Sequence, residues 1–202
     1  MNVPKLRFKG FTDDYQLIEF GKLVNYQKGF AFKSSDYQNF GTRIIRITDT
    51  TSNSIKENDA IFIDNNKAKN YDNYLLKEND IIISSVGSKP PLYDSMVGKV
   101  ILVPKHANKS LLNQNAIRFR AIKHNQIYLY NYLKQNSYTR FVESIMRGNA
   151  NQRSIALDDL FKYPIILPSD INEENKVANF LSLLDKKIEL QTKKIEDLKL
   201  YK

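Results

Sequence analysis

A heptad pattern in the last thirty residues constrains the fold of this chain more than any other feature of its sequence. Its positions follow at alternating steps of four and three residues: Val177, Leu181, Leu184, Ile188, Gln191, Ile195 and Leu198. Only Gln191 is polar, and the spacing predicts the a/d seam of a coiled coil. No glycine or proline interrupts residues 173–202, so the pattern predicts a continuous helix of about 45 Å. A rod of this length needs a second helix against its seam, and we expect an intermolecular coiled coil. The alternative is a terminal helix folded back on its own domain.

The start of this helix is also readable in the sequence. Asp170 and Glu173 have the spacing of a capping box. Glu173 and Glu174 place negative charge on the first turn, where the helix dipole favours it. We therefore divide the chain into a globular domain of residues 1–170 and a long helix of residues 171–202.

Composition places the globular part among intracellular proteins. Apolar residues make up 42% of the 202 residues and aromatic residues 11%, which is enough for a hydrophobic core. The absence of cysteine excludes disulfides, thiolate zinc sites and cysteine nucleophiles, and it favours a reducing compartment. No apolar run approaches the ~18 residues of a membrane span, and the first residues lack the apolar core of a signal peptide. We expect a cytoplasmic protein of a bacterial or archaeal cell that has no membrane partner.

The net charge of +9 lies almost entirely in the globular part. Residues 173–202 carry seven lysines and six acidic residues, a balance of +1, which leaves +8 for residues 1–172. Such a body attracts a polyanion. No basic amphipathic helix concentrates the charge as a membrane-binding segment would, so nucleic acid is the expected partner. Charge alone leaves DNA and RNA both open.

Short apolar stretches alternate with turn residues along residues 1–170. The pattern predicts strands at residues 43–47, 60–63, 81–83, 97–103, 115–120 and 163–168. Residues 125–147 have a helical pattern that Gly148 is placed to end, residues 15–24 form a short amphipathic piece, and residues 149–154 form a polar loop. The expected fold is α+β: a small mixed or antiparallel β-rich domain with a few short helices, followed by a long C-terminal coiled-coil helix.

The sequence contains no recognisable catalytic centre. Gly98-Lys99 lacks the remaining residues of a P-loop, and Pro90-Pro91 lacks the preceding Asn or Asp of an amino-methyltransferase tetrapeptide. His106 and His124 are single histidines in polar loops, where we expect them to face solvent. We therefore predict a noncatalytic chain without a metal site.

Three segments carry residue types suited to contacting nucleic acid. The candidates are Lys28, Lys33, Ser85, Lys89, Tyr93, Arg147, Asn149, Asn151, Gln152 and Arg153. Arg pairs bidentately with guanine and Asn or Gln with adenine, and each good pair contributes about 1–3 kcal/mol of discrimination. Residues 147–154 are the densest such set, although a helix end followed by a solvated turn explains the same residues. We expect the phenylalanines near Lys28 to belong to the core.

Several motifs together resemble a known family. They are GFAFKSSDY at residues 29–37, IIRITD at 44–49, LKENDIIIS at 76–84, VGKV at 97–100, LNQNAIR at 112–118, residues 148–155, and the stretch from Leu167-Pro168 to Ile188. In order and spacing these motifs resemble the specificity subunits of type I restriction–modification systems over nearly the whole chain. Arg46, inside the second motif, joins the candidate DNA contacts.

The resemblance implies a noncatalytic subunit that reads double-stranded DNA. In that family a full-length subunit has two target-recognition domains and two long helices, which pack antiparallel as a ruler between two half-sites. Modification subunits dock on it and methylate adenine, and restriction subunits join to cleave DNA. S-adenosylmethionine and ATP are accordingly expected on partner subunits and no cofactor on this chain.

The chain differs from that pattern because it holds one recognition domain, residues 1–170, and one helix, residues 171–202. It is therefore expected to be half of a specificity subunit, as a natural half, a truncated product or an excised piece. We expect it to form a homodimer, or to pair with a second half subunit, through the seam. The alternatives are a free-standing coiled-coil DNA-binding regulator and a scaffold or anti-restriction partner of a methyltransferase. A DNA mimic should be acidic, and the +8 of residues 1–172 argues against one.

Overall fold

The protein is represented by a computed structural model that describes residues 4, 6–89, 92, 94–149 and 152–200. Its strands are β1 (Tyr15–Glu19), β2 (Val24–Lys28), β3 (Thr42–Ile45), β4 (Ile61–Ile63), β5 (Ile81–Ser84), β6 (Val86–Gly87), β7 (Val100–Leu102), β8 (Leu111–Leu112), β9 (Ala116–Ala121), β10 (Arg147–Asn149), β11 (Gln152–Ser154) and β12 (Pro164–Pro168). Its α-helices are α1 (Phe20–Leu23), α2 (Asn65–Ala68), α3 (Gln126–Leu133), α4 (Asn136–Ile145), α5 (Leu157–Leu160) and α6 (Ile171–Leu200). Short 3-10 turns occupy Ser34–Asp36, Ile47–Asp49, Lys69–Tyr74 and Lys105–Ala107.

An antiparallel sheet of order β2-β9-β5-β7 forms the centre of the molecule. The three isoleucines of β5 are all fully buried because both faces of this sheet are covered. Ile81 and Ile83 pack into the larger cluster with Phe119 and Leu129, whereas Ile82 packs on the opposite face with Ile101. The sheet is thus the middle layer of the domain.

A second sheet, of order β4-β3-β8, encloses a smaller core. The pair β3–β4 is antiparallel and the pair β3–β8 is parallel. Phe30 and Phe32 pack here against Tyr71 and Tyr74 with ring centroids 4.8–5.2 Å apart. The prediction that these two phenylalanines belong to the core is confirmed.

The long helix follows directly from a two-stranded ribbon. In this ribbon β1 pairs antiparallel with β12, from Tyr15 opposite Pro168 to Glu19 opposite Pro164. Helix α6 begins three residues after β12, and its first part packs on α3. None of the helices in the described residues has the length and apolar character that a membrane crossing requires.

The α+β class and the long terminal helix are confirmed, whereas several local predictions need correction. Residues 125–147 form two helices rather than one, because the chain turns at Lys134 and Gln135 and α4 ends at Ile145. Gly148, predicted to end that helix, lies within β10. The predicted polar loop at 149–154 instead contributes Asn149 to β10 and residues 152–154 to β11. Residues 15–24, predicted as one amphipathic piece, form β1, α1 and the start of β2.

Two predictions about polar side chains are also corrected. The Asp170 carboxylate accepts a hydrogen bond from the Asn172 backbone N–H at 2.8 Å, but the Glu173 side chain does not complete a capping box. It turns inward to bond Arg7 and Tyr15. His124 does not stand alone in solvent, because its Nδ1 lies 2.7 Å from the Glu174 carboxylate. His106 is exposed, as predicted, and its Nε2 lies 3.0 Å from the Ile55 carbonyl oxygen.

Candidate nucleic-acid interface

Two of the predicted contact segments form one sheet in the structure. Strands β10 and β11 make a hairpin in which Gly148 lies opposite Arg153 and Asn149 opposite Gln152. The hairpin then pairs with β6, where Arg153 lies opposite Gly87. The backbone N–H of Ile155 extends this pairing by donating to the Ser85 carbonyl at 3.0 Å. We call the sheet of β10, β11 and β6 the reading sheet.

The loop that follows β6 is tied firmly at its base. The Ser84 hydroxyl is fully buried and donates to the Met96 carbonyl at 2.7 Å, and it accepts from the Lys99 backbone N–H at 2.9 Å. The Gly98 N–H donates to the Ser84 carbonyl at 2.8 Å. The base of the loop is therefore fixed while its outer part, including Lys89, is exposed.

Lys99 adds a second tie that the sequence did not reveal. Its side chain is 3% exposed, and its ammonium donates to the Thr50 carbonyl at 3.1 Å and to the Asp94 carbonyl. Burial lowers the pKa of Lys99 to about 8. Asp94 also accepts from the Ser52 N–H at 2.7 Å, so the loop after β6 is joined to the turn at residues 50–54.

Glycine is required at two positions of the reading sheet. A Cβ on Gly87 would lie 2.3 Å from the Ser95 carbonyl oxygen, so the return of the loop leaves no space for a side chain. Gly148 has φ +109°, which L-residues with side chains rarely adopt. Gly87 thus allows the returning loop to approach β6, and Gly148 allows β10 to approach β11, since a Cβ on Gly148 would lie 2.6 Å from the Gln152 carbonyl oxygen.

The side chains of the reading sheet differ in how far they are already engaged. Arg147 pairs with Asp159, and Arg153 donates from Nη1 to the Gly148 carbonyl. Among the described residues, the exposed side chains of Asn149 and Gln152 make no hydrogen bond. Their amide groups are thus available to pair with a base edge, and Arg153 beside them forms no salt bridge with another described residue.

The remaining candidates lie outside the three strands of the reading sheet. Lys28 ends β2 opposite Ile117, and the Ser85 N–H donates to the nearby Asn115 carbonyl, so Lys28 and Ser85 occupy the same end of the central sheet. Lys33 is exposed just before the 3-10 turn Ser34–Asp36. Arg46 is half-buried and paired with Asp49 at 2.6 Å, which raises its pKa. Two further candidates, Tyr93 and Asn151, lie outside the described residues.

The second predicted surface is the seam of α6. Leu184, Ile188, Ile195 and Leu198 are 41–64% exposed. The first two seam residues, Val177 and Leu181, differ from these because they are half-buried. They line a cleft of about 720 Å³ beside α3. The seam therefore begins on its own domain and continues along the described part of α6 as an exposed stripe in which only Gln191 is polar.

Over residues 4, 6–89, 92, 94–149 and 152–200, no three His, Asp or Glu side chains are grouped to hold a metal ion. The arrangement supplies hydrogen-bond donors, cations and an apolar stripe, which are the means of recognition and assembly.

Comparisons with known proteins identify the architecture. The model of the type I restriction modification DNA specificity domain matches residues 12–200. The chain belongs to this family. Its membership confirms the predicted resemblance to a noncatalytic specificity component.

Three relatives show how much of a longer protein this domain represents. The specificity subunit of the type I restriction enzyme EcoAI from Escherichia coli is 26% identical over 139 residues, which are 69% of this chain and 23% of that subunit. The crystal structure of a type I S subunit from M. genitalium is similar with a TM-score of 0.66 at 19% identity, over 95% of this chain and 44% of that one. A chain from a type I R-M system, studied for complex assembly and conformational transition, has a TM-score of 0.59 at 15% identity, over 94% of this chain and 42% of that one. This specificity domain thus spans less than half of each relative.

Proposed function

We propose that this specificity domain reads one half of a bipartite double-stranded DNA site for a type I restriction–modification complex. The observation that carries the proposal is the reading sheet, which places Asn149, Gln152 and Arg153 on one hairpin. A two-stranded β-ribbon fits the major groove, where amide and guanidinium side chains distinguish base pairs. Residues 1–170 act as the target-recognition domain in this proposal, and residues 171–202 act as the spacer.

Exposed cations of the recognition domain would hold the duplex by its phosphates. Lys28, Lys33 and Lys89 are exposed, and phosphate contacts position a protein without reading sequence. Arg46 remains a candidate, although Asp49 already neutralises part of its charge. Tyr93 and Asn151 stay proposed contacts on sequence grounds alone. The +8 of residues 1–172 supports this role.

The exposed seam supports pairing of two copies. Helices of an antiparallel pair pack a positions of one against d positions of the other. The register that pairs every seam residue from 181 to 198 sets Leu181 against Leu198 of the second copy, Leu184 against Ile195, and Ile188 against Gln191. A parallel pair would also set Val177 of one copy against Val177 of the other, although Val177 already lines the cleft beside α3 of its own domain. The antiparallel homodimer, or the equivalent pair with a second half subunit, leaves the two recognition domains at opposite ends.

Such a pair predicts the form of the DNA site. A two-fold dimer reads an inverted repeat. The spacer helix of about 45 Å places the half-sites slightly more than one duplex turn apart, since a turn measures roughly 34–36 Å. We further propose that adenine-methylating modification subunits, which would carry S-adenosylmethionine, and ATP-dependent restriction subunits assemble on this dimer in the cytoplasm.

Two measurements on the purified chain test this function. Sedimentation gives its mass alone and with the modification subunit encoded beside it, and the proposal expects a dimer that captures two such subunits. Selection from random duplex DNA by this complex should return an inverted repeat with a constant spacer. A monomer that ignores the modification subunit would contradict the proposal. A dimer that selects DNA but binds no modification subunit would instead establish a free-standing regulator.

A further inference from the structure

The first turn of α6 is held by buried carboxylates rather than capped in solvent. Glu173 is fully buried, and it accepts two hydrogen bonds from Arg7, from Nε and Nη2, both at 2.7 Å. The Tyr15 hydroxyl donates a third at 3.0 Å. The N-terminal segment and β1 are thereby attached to the base of the helix.

The next residue is attached to a different element. Glu174 is 1% exposed and accepts from the Asn125 backbone N–H at 2.9 Å. The His124 ring approaches the same carboxylate, with Nδ1 at 2.7 Å. Asn125 also caps α3, because its side-chain oxygen accepts from the backbone N–H groups of Ile127 and Tyr128. We call the contacts of Glu173 and Glu174 the root clamp.

Burying a hydrogen-bonded carboxylate adds little to the free energy of unfolding of a protein. Removing charges from water is costly, and an apolar pair of similar volume would often serve as well. Hydrogen bonds, however, specify direction. Consecutive helix residues point about 100° apart, so two successive carboxylates held by different elements restrict both the tilt of α6 and its rotation about its own axis.

Small changes in that direction are amplified along the helix. A tilt of about 5° at the root moves the far end of a rod of about 45 Å by about 4 Å, which exceeds the ~3.4 Å rise of one base pair. Rotation at the root likewise turns the seam relative to the reading sheet. The orientation must hold within a few degrees if the spacer is to be constant.

We infer that the root clamp sets the number of base pairs between the two half-sites. This inference rests on the proposed function, because it needs two copies paired through α6. Arg7, Tyr15, His124 and Asn125 are then positioning residues that select spacer length without touching DNA.

The test uses duplexes that carry the selected inverted repeat with every spacer length across one helical turn. The variants are Arg7→Gln and His124→Gln, with Tyr15→Phe as a milder change that keeps the Arg7–Glu173 pair. Lys22→Gln is the control, because it breaks an exposed ion pair between Lys22 of α1 and Glu19 at the end of β1. Circular dichroism and thermal melting establish that each variant is folded before binding is compared.

The expected result distinguishes the preference for one spacer length from the preference for one half-site sequence. Wild type and Lys22→Gln should prefer one spacer, whereas the clamp variants should bind neighbouring spacers with the preference reduced by about tenfold, or ~1.4 kcal/mol. Their preference for the half-site sequence should be unchanged. Folded clamp variants that keep the wild-type spacer profile would overturn the inference, and Tyr15→Phe and His124→Gln decide it if Arg7→Gln does not fold. A wild type indifferent to spacing would overturn the dimer itself, and with it the basis of the inference.

Discussion

Gly87 lies opposite Arg153 where β6 pairs with β11, and this contact joins two segments that are distant in the sequence. The pairing turns two separate polar stretches into one surface. It also makes that surface dependent on a position where only a hydrogen atom fits, since a Cβ on Gly87 would meet the backbone of Ser95 and Val97.

Replacing this glycine should disrupt the reading sheet. The Gly87→Ala change forces the loop after β6 away from its return, and overpacking of this kind costs about 1–3 kcal/mol. We expect a lower melting temperature and a loss of DNA binding. Asn39→Ala, an exposed change in another loop, is the control. Normal binding by a folded Gly87→Ala variant would show that the sheet is not the contact surface.

Arg153 should affect sequence discrimination more than general affinity. The Arg153→Ala change removes the proposed base-edge donor of the hairpin, so binding to the selected duplex should weaken by about 1–3 kcal/mol while binding to random duplex changes little. Fluorescence anisotropy at matched salt measures both affinities. Lys123→Gln, at the opposite end of the central sheet, is the control. An equal loss on both duplexes would make Arg153 a phosphate contact only.

Two exposed helix residues offer a matched test of the dimer. Ile188 and Leu190 are 64% and 60% exposed, but only Ile188 lies on the seam. Ile188→Ala should weaken dimerisation, and Leu190→Ala should leave it unchanged. Sedimentation equilibrium measures both. Equal effects would place the interface on another face of α6.

Gln191 is the polar interruption of the seam, and it should limit dimer affinity. In the proposed register it faces Ile188 of the second copy, so Gln191→Leu extends the apolar contact. We expect tighter dimerisation by about tenfold, or ~1.4 kcal/mol. The dissociation constant from dilution sedimentation checks this value. Unchanged affinity would contradict the register.

The buried ammonium of Lys99 should give stability a distinct pH dependence. Its pKa is about 8 in the folded protein against 10.5 ordinarily, so between these values the unfolded chain binds more protons. The Lys99 contribution to the free energy of unfolding therefore rises with pH across this window, and it is constant below pH 8. Urea unfolding of wild type and Lys99→Met should be measured on both sides of pH 8. The free energy of unfolding of the wild type should increase relative to that of the variant as the pH rises above 8. A constant difference would place the Lys99 pKa near its ordinary value.

Local patterns explain which parts of the fold were predictable. The isoleucines of β5 and the alternation of apolar and basic residues in β9 are visible in the sequence. They predict strands because side chains two residues apart on a strand share one face. The division between α3 and α4 was missed because the apolar spacing continues across the turn at Lys134 and Gln135. The polar composition of residues 149–154 predicts a loop, because polar residues are typical of loops, whereas Asn149 and residues 152–154 pair as strands in the structure.

The sequence alone determined the long helix, its seam and the basic character of the globular part, because periodicity and charge are properties of neighbouring residues. Only the tertiary structure decided which surfaces these features form. Arg7 and Glu173 meet across almost the whole chain, and Glu174 meets His124 through a separate path. In the sequence the two glutamates suit a helix N-terminus equally well when exposed. Their burial depends on the packing of β1, α3 and α6, since contacts between distant segments follow from the complete fold and not from local pattern.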